Sequence, residues 1–231
     1  MRSLAAAAAA CLSAGSAAAD DVTAARYVEP TTRYGHAILG DDIEWGAIEM
    51  TVGGQRLIVR LPDSHVFEDV EPRLIDIDSD GKREVMVVET SIAAGARLAI
   101  YDGAGAVKAA TPYIGRTHRW LAPIGAADMD GDGAIEVAYI DRPHLAKTLR
   151  VWRYVDGALV NVANLAGLTN HRIGESDIGG GMRNCDGVIE AVTASADWQR
   201  VIATRFENGA LTPRDVGPHD GRASLNAALR C

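Results

Sequence analysis

The sequence DIDSDGKREVMVV at residues 76–88 returns as DMDGDGAIEVAYI at residues 128–140. Each stretch has Asp at positions 1, 3 and 5, Gly at position 6 and Glu at position 9, and then continues as a run of mostly apolar residues. An acidic turn that leads into such a run predicts a loop followed by a β-strand. Because the pattern recurs, the chain is predicted to consist of repeated units.

The same pattern recurs in weaker form on either side of these two stretches. One copy begins at Asp41 and the other at Asp177, and both keep the Gly and the Glu that close the pattern. Each of the three later copies is followed by a strand-like run and a turn-forming dipeptide. These dipeptides are Asp102-Gly103, Asp156-Gly157 and Asn208-Gly209. Both positions of such a dipeptide tolerate positive φ, which favours a hairpin turn. The repeated unit is therefore predicted to be a four-stranded antiparallel blade.

The predicted fold is all-β, a small β-propeller of about four such blades. The expected blade boundaries are approximately 33–62, 65–115, 118–167 and 170–218, followed by a short C-terminal tail. The first blade is shorter than the others by about one strand, and Val22–Val28 is available to complete it. Residues 20–231 are predicted to form this single domain, since the repeats account for nearly all of that length.

Residues 1–19 are predicted to be a secretory signal peptide. Arg2 is followed by a run of small apolar residues that ends in an A-x-A site before Asp20, and we expect cleavage after Ala19. The expected location is periplasmic or secreted. Cleavage ahead of Cys11, with anchoring as a lipoprotein, is the alternative. No apolar run in the mature chain reaches the length of a membrane span.

The remaining cysteines are Cys185 and Cys231. Exported proteins with two cysteines commonly pair them, because disulfides persist in oxidising compartments. A Cys185–Cys231 disulfide is therefore predicted, and it would attach the C-terminal tail to the last repeat.

The two intact acidic loops are predicted to bind Ca²⁺, one ion each. Ca²⁺ takes six to eight oxygen ligands, and carboxylates at positions 1, 3, 5 and 9 with the carbonyl at position 7 supply such a set. The predicted ligands are Asp76, Asp78, Asp80, Lys82 (carbonyl) and Glu84, and Asp128, Asp130, Asp132, Ala134 (carbonyl) and Glu136. An EF-hand is excluded, since it requires Glu at position 12, where this chain has Val87 and Tyr139.

These loops resemble the calcium loops of FG-GAP or VCBS repeats, which build the β-propeller of integrin alpha chains and of many secreted bacterial proteins. The segments that carry the resemblance are DIDSDGKREV and DMDGDGAIEV. The resemblance implies a propeller with metal loops between the first two strands of a blade. It covers two repeats in detail and the other two in outline.

Histidines precede the loop of each repeat, and His36, His118 and His171 are candidates for a metal site near the axis of the ring. Their distances from the loop Asp differ, so strand-end histidines with backbone hydrogen bonds are the competing interpretation. The sequence favours a non-catalytic binding or interaction module with structural Ca²⁺ and a protein or glycan partner. A small periplasmic hydrolase or metal-dependent enzyme with a site at the axis is the alternative.

The balance of charge limits the class of partner. Acidic residues outnumber basic ones, 31 to 23, and the formal net charge is −8 at pH 7. Nucleic-acid-binding proteins usually present an excess of basic residues, so nucleic acid is not expected as a partner.

Overall fold

The structure, a computed structural model, describes residues 21–231 of the chain. The predicted signal peptide and Cys11 lie outside these residues. The described part contains seventeen β-strands and one short α-helix, and all of the strand pairs are antiparallel. The all-β prediction is therefore confirmed. The strands fall into four groups in chain order.

Groups one and two form a single eight-stranded sheet. Group one contains β1 (Val22–Thr31), β2 (Glu44–Val52) and β3 (Gln55–Arg60). Group two contains β4 (His65–Phe67), β5 (Arg73–Ile75), β6 (Glu84–Ser91), β7 (Gly95–Tyr101) and β8 (Val107–Ala110). β2 pairs with β1 and β3, and the two groups are joined where Trp45 of β2 pairs with Phe67 of β4. The segment expected at Val22–Val28 is thus a strand of group one.

Groups three and four are separate sheets of four and five strands. Group three contains β9 (Leu121–Ala127), β10 (Glu136–Asp141), β11 (Thr148–Val155) and β12 (Ala158–Ala166). Group four contains β13 (Leu168–Thr169), β14 (Gly181–Cys185), β15 (Val188–Ser195), β16 (Arg200–Glu207) and β17 (Ala210–Pro218). In group two the short strands β4 and β5 both pair with the same side of β6. In group four β13 and β14 both pair with the same side of β15.

The core lies between the faces of neighbouring groups. Val88 and Leu98 of group two are fully buried and pack in one cluster with Trp120, Val137 and other residues of group three. A second cluster joins groups one and two around Phe67, and a third joins groups three and four around Phe206. Each sheet therefore buries its face against the next one, as stacked repeats of this kind require.

The directions of the strands define two ends of the molecule. β5 and β9 run into the acidic loops, and β6 and β10 leave them, so residues 76–83 and 128–135 mark what we call the acidic end. The segments before β9 and after β10, residues 118–120 and 142–147, lie at the opposite end. The backbone N–H of Val22 donates to the carbonyl of Arg83 (3.1 Å), which places the start of β1 at the acidic end and residues 32–43 at the opposite end.

Two of the three predicted hairpin turns have the expected conformation. Asp156-Gly157 and Asn208-Gly209 both have positive φ at the two central positions and join β11 to β12 and β16 to β17. After Asp102 the turn is longer, because Ala104 and Ala106 donate their N–H groups to the Asp102 carboxylate and Gly105 supplies the positive φ.

The two weaker copies differ from the predicted loops. Residues 44–52 are continuous strand, so the Gly46 and Glu49 of the first copy lie inside β2 rather than in a loop. In the last copy, Asp186 and Gly187 form a tight turn between β14 and β15. The loop geometry is therefore present in the two intact copies only.

The C-terminal tail forms a helix, α1 (Gly221–Ala228), whose Leu225 is buried against Val192 and Val201 of group four. Cys231 is joined to Cys185 at the end of β14, as predicted. The described residues include no helix with the length and apolarity that crossing a bilayer requires.

Candidate functional site

The loop between β5 and β6 folds around the side chain of Asp76. The Asp76 carboxylate accepts hydrogen bonds from the backbone N–H groups of Asp80 (3.1 Å) and Gly81 (3.0 Å), and Asp80 accepts one from Lys82 (2.8 Å). Gly81 has φ of 85°, a conformation that other residues rarely adopt. The first Asp and the Gly of the pattern thus build the turn.

The loop between β9 and β10 has the same construction. The Asp128 carboxylate accepts hydrogen bonds from the N–H groups of Gly131 (2.8 Å), Asp132 (3.0 Å) and Gly133 (2.9 Å), and Asp132 accepts one from Ala134 (2.9 Å). Gly133 has φ of 91°. The two loops repeat each other in geometry as well as in sequence.

The closing Glu of each loop is buried under the turn. Glu84 accepts a hydrogen bond from the N–H of Ile77 (3.1 Å), and Glu136 accepts one from the N–H of Met129 (2.8 Å). Burial raises the pKa of Glu136, although the Met129 N–H and Arg153 act in the opposite direction. Glu136 therefore needs positive charge nearby to remain ionised in the folded protein.

Each loop brings three carboxylates within the reach of one cation. Ligand oxygens of Asp76, Asp78 and Glu84 lie within 4.8 Å of one another, and so do those of the second set. The second set is Asp128, Asp130 and Glu136. The predicted ligands at position 5, Asp80 and Asp132, are outside these clusters. Their carboxylates instead accept hydrogen bonds from the loop backbone.

A basic side chain from a neighbouring strand contacts each cluster. Lys108 of β8 lies 2.5 Å from a carboxylate oxygen of Asp78 and 2.5 Å from one of Glu84. Arg153 of β11 contacts Asp130 (2.7 Å) and Glu136 (2.5 Å), and also Asp132 (2.7 Å).

Lys108 and Arg153 belong to no motif, so the sequence did not identify them as neighbours of the acidic loops. The three clustered carboxylates of each loop, when ionised, carry two more negative charges than its one basic side chain balances, and one divalent cation would neutralise that excess. Asp132 adds a further negative charge in the second loop.

The donor set fits Ca²⁺, which the sequence pattern implies. Carboxylate oxygens are the ligands that this hard cation prefers. In addition, Oδ1 of Asp130 is buried and has no hydrogen-bond partner among residues 21–231. A buried carboxylate oxygen without a partner is unfavourable, and a bound cation would satisfy it.

The corresponding position in group four is neutralised without a metal. Glu190 is cross-strand neighbour to Arg183, as Glu84 is to Ile75 and Glu136 is to Ala127. The Glu190 carboxylate contacts both Arg183 (Nε at 2.8 Å) and Arg214 (3.1 Å). Burial acts to raise the pKa of Glu190, but these two guanidinium groups outweigh burial, so the pKa of Glu190 is lowered. Two positive charges therefore face one carboxylate, and this position has no electrostatic demand for a cation.

The histidines proposed for an axial site lie at the opposite end of the molecule. His36 and His118 stack with their ring centroids 5.1 Å apart, whereas His171 pairs with His144, with centroids 5.3 Å apart. Within residues 21–231, the groups of three or more ligand atoms close enough to share a metal ion are the two acidic clusters. The three histidines are therefore not brought together as a set of metal ligands.

Residues 76–139 match the family model of the FG-GAP-like repeat. The matched segment begins at the first Asp of one acidic loop and ends within β10, after the second loop. No curated protein matches the chain at a significant level.

Proposed function

We propose that this FG-GAP-type repeat protein is an exported, calcium-binding module with a four-unit, propeller-like fold and a non-catalytic binding role. The two intact loops each hold one Ca²⁺ as a structural ion. The observation that carries the proposal is the duplicated acidic cluster: in each of two consecutive repeats, three carboxylates lie together and one basic side chain contacts two of them.

The ion would be held by Asp76, Asp78 and Glu84 in one loop and by their counterparts in the other. It would neutralise carboxylates that otherwise repel one another at close range. The loops join β5 to β6 and β9 to β10, so neutralisation would hold these strands together at the acidic end. The expected role of the metal is therefore structural.

Export is supported by the disulfide between Cys185 and Cys231. Structural disulfides persist in oxidising compartments and are rare in the cytosol. We propose that the protein acts in the periplasm or outside the cell. There, Ca²⁺ affinities of about 10⁻⁴ to 10⁻³ M are sufficient for extracellular modules. A protein or a glycan is the proposed partner.

Calcium titration of metal-free protein tests this proposal. We expect two ions per chain by isothermal titration calorimetry. We also expect a melting temperature that falls when EDTA is added, because ligands that bind only the folded state stabilise it. An EDTA-treated protein that melts at the same temperature and binds no Ca²⁺ would contradict the proposal.

The assignment of ions to loops is tested by Asp128→Ala. This variant should bind one Ca²⁺ rather than two, since the loop at Asp76 keeps its own ligands. Asp63→Ala is the matched control, because Asp63 is fully exposed and lies outside both loops. Loss of both ions in Asp128→Ala, with two retained in Asp63→Ala, would show that the sites are not independent.

A further inference from the structure

A cavity of about 170 Å³ opens at the end of the molecule opposite the acidic loops. Its lining comes from the segments that precede β2 and β9, that follow β10, and that join β13 to β14. Ile38, Trp120, Leu145 and Ile173 form its apolar walls, and His36 and Arg119 are among its polar lining residues. Groups one, three and four all contribute to it. The cavity lies apart from the acidic clusters, and no residue of those clusters lines it.

The apolar rim of the cavity is exposed to solvent. Leu145 is 63% exposed and Ile173 is 69% exposed, the two highest values among the large exposed apolar residues of the described chain. Both side chains border the cavity, while Trp120 beneath them is almost fully buried. Apolar surface exposed around a concave site is typical of a binding site. A ligand in the cavity would remove part of this surface from water.

One cation in the lining has no acidic partner. Arg119 donates to the carbonyl oxygen of His118 (2.8 Å), and no carboxylate within residues 21–231 lies within 4.0 Å of its guanidinium group. Arg142, which also lines the cavity, differs because both ends of its guanidinium contact Asp141 (2.8 and 3.0 Å). An unpaired guanidinium beside an apolar cavity favours an anionic group on the ligand.

Two imidazoles that line the cavity, those of His36 and His144, are held in defined orientations, the second by His171 beside it. His36 contacts the buried carboxylate of Glu68 through Nδ1, so Nε2 is the nitrogen left for a ligand. His171 donates through Nε2 to the carbonyl of Glu175 (2.8 Å), and burial lowers its pKa. His171 Nδ1 therefore accepts the proton of His144 Nε2 (3.3 Å), and Nδ1 of His144 remains an acceptor.

Three of the ten non-glycine residues with positive φ in the described chain lie in or next to the lining of this cavity. Ala37, His118 and Arg142 have φ of 51°, 54° and 45°, in the left-handed region that non-glycine residues seldom occupy. His118 is held there by a hydrogen bond from its N–H to the hydroxyl of Tyr34 (2.7 Å). Such strain persists where surrounding contacts impose it, and it is common at ligand sites.

We propose that this cavity binds a small apolar carboxylic acid, with the carboxylate on Arg119 and the apolar body against Trp120, Leu145 and Ile173. A cavity of about 150 Å³ holds one benzene molecule, so the volume admits a single ring or one large apolar side chain. Such an acid is either a free monocyclic acid or the carboxy-terminal residue of a peptide. The proposal requires no metal in the acidic loops.

Three probes distinguish these sources in titrations of the full chain. Phenylacetate represents the free acid, N-acetyl-Gly-Leu represents a peptide carboxy terminus, and N-acetyl-Gly-Leu amide lacks the charge. We expect saturable binding of at least one acid and at least tenfold weaker binding of the amide, because hydrogen bonds to charged groups are the stronger ones. Binding of phenylacetate alone identifies a free acid, and preference for the peptide identifies a carboxy terminus.

Arg119→Met should weaken binding of the preferred acid by about tenfold to a hundredfold and leave the melting temperature unchanged. The control is Arg116→Met, since Arg116 lies on the same exposed segment and outside the cavity lining. Ile173→Ser should also weaken binding, and NMR shifts on binding should include the methyl groups of Ile38, Leu145 and Ile173.

Three outcomes overturn the proposal: neither acid binds, the amide binds equally well, or Arg119→Met binds as tightly as Arg116→Met. Repeating the titration in EDTA separates this proposal from the calcium proposal. If the protein binds an acid but no Ca²⁺, the cavity proposal stands and the calcium proposal fails.

Discussion

Arg153 has a central place among the charges of the second acidic loop. Its guanidinium group contacts the fully buried carboxylate of Glu136 and also Asp130 and Asp132. In metal-free protein it is the basic group that these carboxylates contact. It therefore competes with a metal ion for the same oxygens while also stabilising the loop when no metal is bound.

Arg153→Gln should reduce the free energy of unfolding by about 3 kcal/mol in EDTA, because it leaves a buried carboxylate without its partner. With saturating Ca²⁺ the loss should be much smaller, and the affinity of this loop for Ca²⁺ should rise. Urea denaturation with and without Ca²⁺ measures both effects.

Arg205→Gln is the matched control for this change. Arg205 is cross-strand neighbour to Glu190 on β16, as Arg153 is to Glu136 on β11, but its ion pair with Glu207 is exposed. The control should change stability by less than about 1 kcal/mol in either condition. An equal loss in Arg153→Gln with and without Ca²⁺ would refute the competition between arginine and metal.

Glu44, at the start of β2, gives the molecule a dependence on pH. Burial, together with the neighbouring Glu68, raises the pKa of Glu44 from 4.5 to about 9. Between these values the folded state retains a proton that the unfolded state has lost. The contribution of this group to stability is therefore complete below pH 4.5 and is lost as the pH rises toward 9.

Glu44→Gln should therefore be more stable than the natural protein at pH 8, by at least about 1 kcal/mol, and close to it in stability at pH 5. Urea denaturation at the two pH values provides the measurement. Glu71→Gln, at an exposed position, should show no such difference between pH 5 and pH 8. If the advantage of Glu44→Gln is the same at both pH values, the titration assigned to Glu44 is wrong.

The sequence predicts the carboxylates of the acidic clusters but not their basic partners. Asp76 and Asp128 can be read from the chain because the loop is local and its spacing is regular. Lys108 and Arg153 reach the clusters from other strands, and their positions depend on the length of the links and on strand register. A one-residue change in register would move either side chain to the other face of its strand, so sequence spacing alone does not place them.

At the level of the elements, the strand pattern in β2 outweighs the resemblance of Asp41–Glu49 to an acidic loop. Gly46, Ala47, Ile48 and Met50 are buried, whereas Trp45 and Glu49 are less so. A short, mostly buried run that pairs with β1 on one side and β3 on the other is typical of a central strand. Three residues that match a loop pattern were therefore insufficient where such a run passed through them.

The disulfide that attaches the C-terminal tail with α1 to β14 is predicted by the sequence, and its contribution to stability can be tested directly. Cys185→Ser/Cys231→Ser should lower the free energy of unfolding by up to roughly 4 kcal/mol, since the disulfide closes a long loop in the unfolded chain. Calcium binding should remain, because the acidic loops lie in groups two and three. Thermal and urea denaturation measure the change in stability.

A reducing agent supplies the control for the disulfide variant. It should lower the stability of the natural protein toward that of the double variant and leave the double variant itself unchanged. If the natural protein keeps its full stability when Cys185 and Cys231 are shown to be reduced, the disulfide contributes nothing to stability, and Leu225 packing and the Arg183 hydrogen bond to Ala228 hold the helix.

At the level of the whole molecule, the all-β class and the recurrence of units follow from sequence, but the joining of groups one and two does not. That junction depends on β4, a three-residue strand that pairs with both β2 and β6. So short a strand carries little periodic signal. The predicted ring implies contact between the first and last groups, but the sequence does not show which residues make it. It is made where the N–H of Gly174 donates to the carbonyl of Ile38 (3.0 Å).

Equivalent positions in groups two, three and four are stabilised by different interactions. At Glu190 basic side chains take the place proposed for a metal ion at Glu84 and Glu136. There, two guanidinium groups and a nearby disulfide occupy the position where groups two and three have a carboxylate cluster. With calcium in the loops, a chelator would loosen the middle of the chain and a reductant would loosen its end. The stability of the protein would then be controlled at two separate places. The concentration of divalent metal would control the acidic loops, and the surrounding redox potential would control the C-terminal helix.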